Sequence, residues 1–334
     1  MAKREPLIVG RHVVAPGERA RIDLPVALLP THTPLHFPLQ VLNGTRPGPH
    51  LWLSAAIHGD EINGVEIIRE VLAKLDPKTL RGAILAAPIV NVFGFLQQSR
   101  YLPDRRDLNR SFPGSKTGSL AARVAHLFLT QIVANCTHGI DLHTGSLEKS
   151  NLPQIRANLL DPETLRCATA FGAPVMAHSI VRNGSLRAVA TKKGLTVLVY
   201  EAGEAQRFNA KAIRTGVAGV LGVLRGLRML PFKEPRRIPK LIVSSTWVRA
   251  RKAGLLRLDV GEGNMVKTRQ VLGSIGDPFG EENTLLRSPI DGIVIGKANN
   301  PVVHGGDAIV HIGRIGSLED LRGVGLRESE ENPG

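Results

Sequence analysis

The feature that most constrains this chain is an apolar run at residues 51–54 that is followed, one short turn later, by a helical pattern at residues 65–72. The first predicts a buried strand and the second an amphipathic helix. His58 and Glu61 lie on the turn between them. Because they are three residues apart on such a turn, their side chains can converge on one point, and a third ligand would complete a His2Glu zinc site with an open position for water. The alternative is a surface turn with an unrelated histidine and a carboxylate favoured by the helix N-terminus.

Strands and helices alternate through most of the first 235 residues. Apolar, β-branched runs predict buried strands, and apolar residues spaced by three and four predict helices. The clearest examples are strands at 83–89, 140–143 and 195–201 and helices at 62–75, 120–134 and 209–229. This alternation predicts an α/β fold with a mixed, mainly parallel sheet flanked by helices.

A second unit is predicted after a linker at residues 231–239, which contains three prolines and a cluster of charges. Beyond the linker the pattern changes to short strands and glycine turns, which predicts a smaller C-terminal all-β domain. We therefore expect a main domain with the candidate catalytic residues at 1–235, a β-rich domain at 236–315 and a polar, flexible tail at 316–334.

The composition argues against several classes of function. With 43% hydrophobic and 22% charged residues, the 334-residue chain resembles an ordinary globular protein. Cys136 and Cys167 form no C-x-x-C pair, which argues against a disulfide framework and thiolate metal binding. The net charge is +14, but the basic residues are scattered and aromatic residues make up only 4%, so we expect no nucleic-acid partner. We find no membrane-spanning run or signal-peptide pattern and expect a cytoplasmic protein that does not bind membranes. A homo-oligomer is compatible with the sequence.

Further stretches place reactive side chains where a sheet of this kind collects them. His143 and Glu201 each end a predicted strand, and catalytic groups of open α/β sheets gather at the carboxyl ends of strands. A long loop adds a group of polar side chains, namely Arg100, Asn109 and Arg110. Taken singly, each has a plainer interpretation as a hydrogen-bonding histidine, a helix-entry carboxylate or a surface turn. Together with the 58–61 turn they would supply a zinc triad, a base and a substrate clamp, as metal-assisted amide hydrolysis requires.

Four motifs, taken in order, resemble one known family. They are H-G-D-E at 58–61, D-L-N-R at 107–110, D-L-H-T-G at 141–145 and E-A-G at 201–203. The set resembles the succinylglutamate desuccinylase/aspartoacylase family, whose fold is similar to that of the zinc carboxypeptidases. The resemblance extends from about residue 30 to about residue 313.

The resemblance implies a metal centre and a base. His58, Glu61 and His143 would hold one zinc ion per chain, and Glu201 would be the catalytic glutamate. A second glutamate, Glu204, lies close by on the far side of a glycine. We favour Glu201 as the base because the preceding apolar strand anchors it within reach of the metal.

The resemblance also implies how the loop and the C-terminal region act. Asn109 and Arg110 would grip the polar or carboxylate end of the substrate, and Arg100 would polarise the scissile carbonyl. One residue more separates Arg100 from Asn109 than in the aspartoacylase branch. Residues 287–292 and 304–308 resemble biotinyl/lipoyl-like barrel-sandwich folds. We find no Met-Lys-Met hairpin lysine there, so we expect a lid or a wall of the cleft rather than a covalent carrier.

The resulting hypothesis is a zinc-dependent amidohydrolase that removes an acyl group from an N-acylated amino acid or a related small amine, with an anionic small-molecule substrate. Two alternatives stay open. A zinc carboxypeptidase that acts on short peptides would use the same site, and a non-catalytic binding protein on the same fold would need no metal. A zinc assay separates the last from the first two, and a substrate screen separates those two from each other.

Overall fold

The structure is a computed structural model that describes residues 4–146, 148–234 and 237–322. Its helices in these ranges are α1 (Asn63–Ala73), α2 (Val92–Leu96), α3 (Leu120–Gln131), α4 (Pro162–Phe171), α5 (Leu186–Lys192) and α6 (Ala210–Gly226), with short 3-10 turns at Leu108–Arg110 and Val133–Asn135. The strands before α6 are β1 (Leu7–Val9), β2 (His12–Val14), β3 (Glu18–Leu28), β4 (Pro34–Asn43), β5 (Arg46–Ala55), β6 (Arg81–Ala87), β7 (His138–Gly145), β8 (Lys149–Ala157), β9 (Val175–His178) and β10 (Thr196–Glu204). The strands after it are β11 (Lys240–Arg249), β12 (Gly254–Leu258), β13 (Met265–Val266), β14 (Val271–Gly276), β15 (Asn283–Arg287), β16 (Gly292–Ala298), β17 (Val302–Val303) and β18 (Ala308–Ile315).

Twelve of these strands form one mixed sheet, in the order β13-β16-β18-β11-β9-β8-β10-β7-β5-β6-β4-β3. The neighbours β6, β5, β7 and β10 run parallel to one another, as do β8, β9 and β11. The remaining seven pairings are antiparallel. The sheet is therefore mixed, as predicted, but it is not mainly parallel across its width. The reason is that a long N-terminal hairpin and the C-terminal strands join the same sheet.

Helices cover both faces of this sheet, as predicted. On one face α1, α4 and α6 pack over a core that includes Ile67 of α1 and Phe171 of α4. On the other face α3 packs Phe128 onto a core that contains Trp52 of β5. Both Trp52 and Phe128 are fully buried, and burying a large apolar side chain contributes roughly 1.5–3 kcal/mol. Of the helices described, none is both long and apolar enough to cross a membrane.

The C-terminal strands close a ring with the main body. Strand β16 pairs with β18 and also with β8, so β8, β9, β11, β18 and β16 form a closed circuit. Strands β12, β14, β15 and β17 form a separate four-stranded sheet. The predicted boundary at residues 235/236 lies outside the described residues, as does most of the predicted tail. Within the described part of that tail, Leu321 is buried against the main core.

The carboxyl ends of β5, β7 and β10 meet at one edge of the sheet. Strand β7 lies between the other two and is parallel to both, so the three ends point in one direction. His58 follows β5, while His143 and Glu201 lie near the ends of β7 and β10 and are partners in the register. The sheet thus brings together residues that are up to 143 positions apart in the chain.

Candidate active site

Three buried side chains converge at this edge of the sheet. The Nδ1 atom of His58 lies 2.8 Å from one carboxylate oxygen of Glu61, and Nδ1 of His143 lies 2.9 Å from the other. One ligand atom from each residue falls within 4.8 Å of the others. The turn after β5 makes this possible, because the Glu61 amide donates to the His58 carbonyl at 3.1 Å. The structure therefore places the predicted triad together.

Each imidazole has a carboxylate near its Nε2 atom, within hydrogen-bond distance for His143 and in a looser contact for His58. His143 Nε2 lies 2.8 Å from Asp141, whose other oxygen accepts a hydrogen bond from Ser54 Oγ at 2.7 Å. His58 Nε2 lies 3.3 Å from Asp107. Carboxylates in this position fix the ring orientation of metal-ligating histidines and increase their basicity. Both Nδ1 atoms consequently face the shared point beside Glu61.

The electrostatics of the triad suit a divalent cation. Burial raises the pKa of Glu61, but the adjacent histidines outweigh burial and hold this pKa well below its ordinary value. Burial lowers the pKa of His143, but Asp141 and Glu61 outweigh it and raise this pKa well above its ordinary value. Two imidazole nitrogens and a carboxylate form a donor set of the kind that binds zinc once the nitrogens carry no proton.

Arg100 lies beside the triad rather than out in the cleft. One guanidinium nitrogen donates to Glu61 at 3.2 Å and another donates to Asp107 at 2.9 Å. Asp107 in turn faces His58. Arg100 is therefore connected to Glu61 directly and to His58 through Asp107, and it also lines the cavity.

The two candidate glutamates occupy different surroundings. Glu201 lines the same cavity as the triad, and its carboxylate accepts a hydrogen bond from Asn151 Nδ2 at 3.0 Å. Glu204 is engaged elsewhere, because it accepts a hydrogen bond from Asn299 and lies 3.3 Å from Arg207. A β-bulge between Glu201 and Glu204 separates them, and bulges often re-aim side chains next to active sites.

The predicted clamp residues sit at the rim of the cavity. Asn109 Oδ1 accepts a hydrogen bond from the Leu186 amide at 2.9 Å, at the start of α5. The Arg110 side chain is exposed, and its guanidinium donates to the Asn109 carbonyl at 2.6 Å. This leaves the remaining guanidinium nitrogens of Arg110 available to a ligand in the cavity.

All seven predicted site residues line one cavity of about 480 Å³. Six further residues that line this cavity, which we call the second wall, were not predicted as site residues from the sequence: Arg156, Arg182, Arg187, Ser245, Trp247 and His311. Arg156 lies in a short stretch at 154–159 whose sequence is typical of a strand, so its charge there was a local signal. No local signal distinguished the C-terminal residues, which reach the cavity only through long-range strand pairing.

The residues of the second wall fall into two chemical classes. Arg187 is half-buried, and desolvation together with the charge of Arg156 lowers its pKa to about 10. Trp247 and His311 stack with their ring centroids 4.4 Å apart and an interplanar angle of 8°. Burial and Arg156 lower the pKa of His311 to about 4, so this imidazole is neutral near pH 7. The wall thus combines arginines with a flat, uncharged platform.

Comparison with known proteins decides the family. The family model described as "Succinylglutamate desuccinylase/Aspartoacylase catalytic domain" matches residues 47–227. The chain belongs to the succinylglutamate desuccinylase/aspartoacylase family. This confirms the resemblance that the four motifs indicated.

Several relatives of this family member match over most of its length. An N-alpha-acetyl-L-2,4-diaminobutyric acid deacetylase from Halomonas elongata is 25% identical over 284 residues, which cover 80% of this chain and 83% of that protein. A succinylglutamate desuccinylase/aspartoacylase structure from Rhodobacter sphaeroides has a TM-score of 0.81 and 24% identity, covering 94% and 97% of the two chains. The product-bound ectoine utilization protein EutE (DoeB) from Ruegeria pomeroyi has a TM-score of 0.80 and 21% identity, covering 93% and 96%. The two structures show that the fold extends over nearly the whole chain.

Proposed function

We propose that this protein is a zinc-dependent amidohydrolase that removes the acyl group from an N-acylated amino acid or a related small amine. The observation that carries the proposal is the convergence of His58, Glu61 and His143 in one cavity with Glu201. The name of the Halomonas elongata relative describes the removal of an acetyl group from an amino acid derivative, which supports the same reaction class here.

Each of these residues would have a separate role in the reaction. A zinc ion held by His58, Glu61 and His143 would supply a Lewis acid that acidifies water and polarises the amide carbonyl. Glu201 would accept the proton of the attacking water and then deliver it to the nitrogen of the leaving amine. Arg100 would place positive charge near the oxygen on which negative charge develops. The leaving amine departs protonated, and the acyl group leaves as a carboxylate.

The charge of the cavity favours an anionic substrate. Six basic side chains line it, namely Arg100, Arg110, Lys149, Arg156, Arg182 and Arg187. Of the described residues, three carboxylates line it, and each is engaged: Glu61 by the histidines, Asp141 by Ser54 and His143, and Glu201 by Asn151. An arginine can grip a carboxylate through two parallel hydrogen bonds. A substrate with a cationic side chain, such as an N-acetyl diaminobutyrate, would find no carboxylate in the cavity that is free to pair with it. We therefore propose that the amine carries a second carboxylate.

A hydrolysis screen tests the proposal. The panel would contain N-acetyl-L-aspartate, N-acetyl-L-glutamate, N-succinyl-L-glutamate, N-acetyl-L-2,4-diaminobutyrate, N-acetylglycine and dipeptides with a free C-terminus, each with released amine as the readout. We expect the highest kcat/KM on an acylated acidic amino acid. Faster turnover of the dipeptides would indicate a carboxypeptidase. No turnover of any compound by fully metallated protein would contradict the proposed reaction.

A further inference from the structure

We propose that Asn151 is a positioning residue that orients Glu201, and that the C-terminal strand β16 holds Asn151 in place. The inference rests on the proposed role of Glu201 as the base. Asn151 Nδ2 donates to Glu201 Oε2 at 3.0 Å. Among the residues that the structure describes, Asn151 is the one that donates a hydrogen bond to the Glu201 side chain. Its other carboxylate oxygen is left for the water that it would deprotonate.

Glu201 needs such a partner because its backbone lies at an irregularity. Glu201 pairs with His143, and Glu204 pairs with Gly145, so β10 carries one residue more than β7 over this interval. Bulges bend the strand and re-aim side chains. The backbone of the bulge is held separately by helix α1, because Asn63 Nδ2 donates to the Ala202 carbonyl at 3.2 Å. The Glu201 side chain still has three rotatable bonds. Asn151 donates the hydrogen bond that restricts its orientation, while the charge of Arg187 also acts on this carboxylate.

Asn151 is itself held between two strands. It lies on β8, where it pairs with Gly203 of β10 on one side and with Gly296 of β16 on the other. A Cβ atom at position 296 would lie 2.8 Å from Asn151 Oδ1, a separation that real Cβ atoms essentially never show. Because glycine has no Cβ atom, Gly296 leaves room for the side-chain amide of Asn151. In this way a strand of the C-terminal region determines where the base points.

The chemistry predicts a specific ranking of variants. Asn151→Ala removes the donor and leaves Glu201 free to rotate, so kcat should fall about tenfold or more, since misplacing a catalytic group by an ångström can cost about a hundredfold. Asn151→Asp preserves size and shape but cannot donate as a carboxylate, and it brings a like charge to Glu201. We expect it to be at least as slow as Asn151→Ala. If Asn151 served only to fill space, the isosteric aspartate would be the milder change.

A double-mutant cycle with Glu201→Gln identifies the residue through which Asn151 acts. Kinetics would use the fastest substrate of the panel above. In the wild-type background Asn151→Ala should lower kcat about tenfold or more and change KM much less. In the Glu201→Gln background the same substitution should lower kcat by less than about twofold, because the effects of substituting residues that act together are not additive. If Asn151→Ala lowered kcat by the same factor in both backgrounds, the proposal would be wrong.

Controls separate this inference from the proposed function. Asn300→Ala removes another asparagine–glutamate hydrogen bond at the same junction, to Glu148, and should leave kcat unchanged. Zinc content and the unfolding midpoint of the Asn151 variants should match those of Asn300→Ala, and Asn151→Asp carries the test if the alanine variant does not fold. If Glu201→Gln keeps full activity, the proposed base is wrong. If Glu201→Gln is inactive while both Asn151 variants keep wild-type kcat, only the positioning role is wrong.

Discussion

At the scale of single residues, the direction in which each histidine points decides what the site can bind. His143 presents Nδ1 to the triad because Asp141 holds Nε2 at 2.8 Å. Asp141→Asn should therefore weaken zinc binding by roughly 10- to 100-fold, the usual cost of losing such a partner. His143→Ala removes the ligand itself and should lose most of the metal. Zinc competition against a chromogenic chelator measures both, and an unchanged affinity in Asp141→Asn would show that Asp141 does not support the ligand.

The exposed guanidinium of Arg110 leads to a second prediction at this scale. Lysine carries the same charge but cannot reproduce two parallel hydrogen bonds to a carboxylate. Arg110→Lys should keep its zinc and lower kcat/KM substantially, mainly through KM, on an acidic substrate. On N-acetylglycine, which has no side-chain carboxylate, the same substitution should lower kcat/KM by a different factor. Unaltered kinetics on every substrate would make Arg110 a surface residue.

Protonation of the proposed zinc ligands should make zinc binding depend on pH. In the metal-free protein, the neighbouring carboxylates raise the pKa of His143 well above its ordinary value despite burial, and the pKa of His58 is also raised. The raised pKa values favour the protonated form of both histidines, and a zinc ion would have to displace these protons. Zinc affinity should therefore rise with pH, by about tenfold per pH unit for each proton displaced. Titrations at pH 6, 7 and 8 measure this slope, and an affinity independent of pH would contradict it.

At the scale of elements, the C-terminal strands form a wall of the cavity. Trp247 on β11 and His311 on β18 stack, and both line the cavity that His58, Glu61 and His143 also line. Trp247→Ala should raise KM by roughly threefold to tenfold, the size expected for losing an aromatic contact, with less effect on kcat. Phe279→Ala, at a side chain that is 86% exposed, is the matched control and should leave KM unchanged. A Trp247→Ala enzyme with wild-type KM would remove this wall from the substrate site.

The elements also show how far the sequence could predict this protein. The helix predicted at 120–134 is α3, and Ser119 caps it by accepting from the Ala122 amide at 3.2 Å. Such signals are local, as is the strand-end position of Glu201. The sequence did not predict α4 or α5, because their apolar patterns are short. It could not predict the Asn151–Gly296 pairing, because strand pairing depends on contacts 145 residues apart.

At the scale of the whole molecule, the net charge of +14 has a local counterpart. Six basic side chains line the cavity, so part of the excess charge surrounds the proposed substrate. A cleft lined by one sign of charge raises the local concentration of an oppositely charged substrate, and salt screens this effect. The closed ring of strands then joins this basic cavity to the C-terminal region, so that one site draws on both parts of the chain.

In the proposed mechanism, one zinc ion held by His58, Glu61 and His143 works together with Glu201 as the base. The most direct test is a zinc titration of metal-free wild-type, Glu201→Gln and Glu204→Gln protein, with bound metal and hydrolysis measured on the same samples. All three should bind one equivalent, and wild-type activity should rise linearly to that point. Glu201→Gln should stay at or below about one hundredth of wild-type kcat, while Glu204→Gln should lose far less. Wild-type activity that does not depend on zinc, or a fully metallated Glu201→Gln enzyme as fast as wild type, would contradict the account.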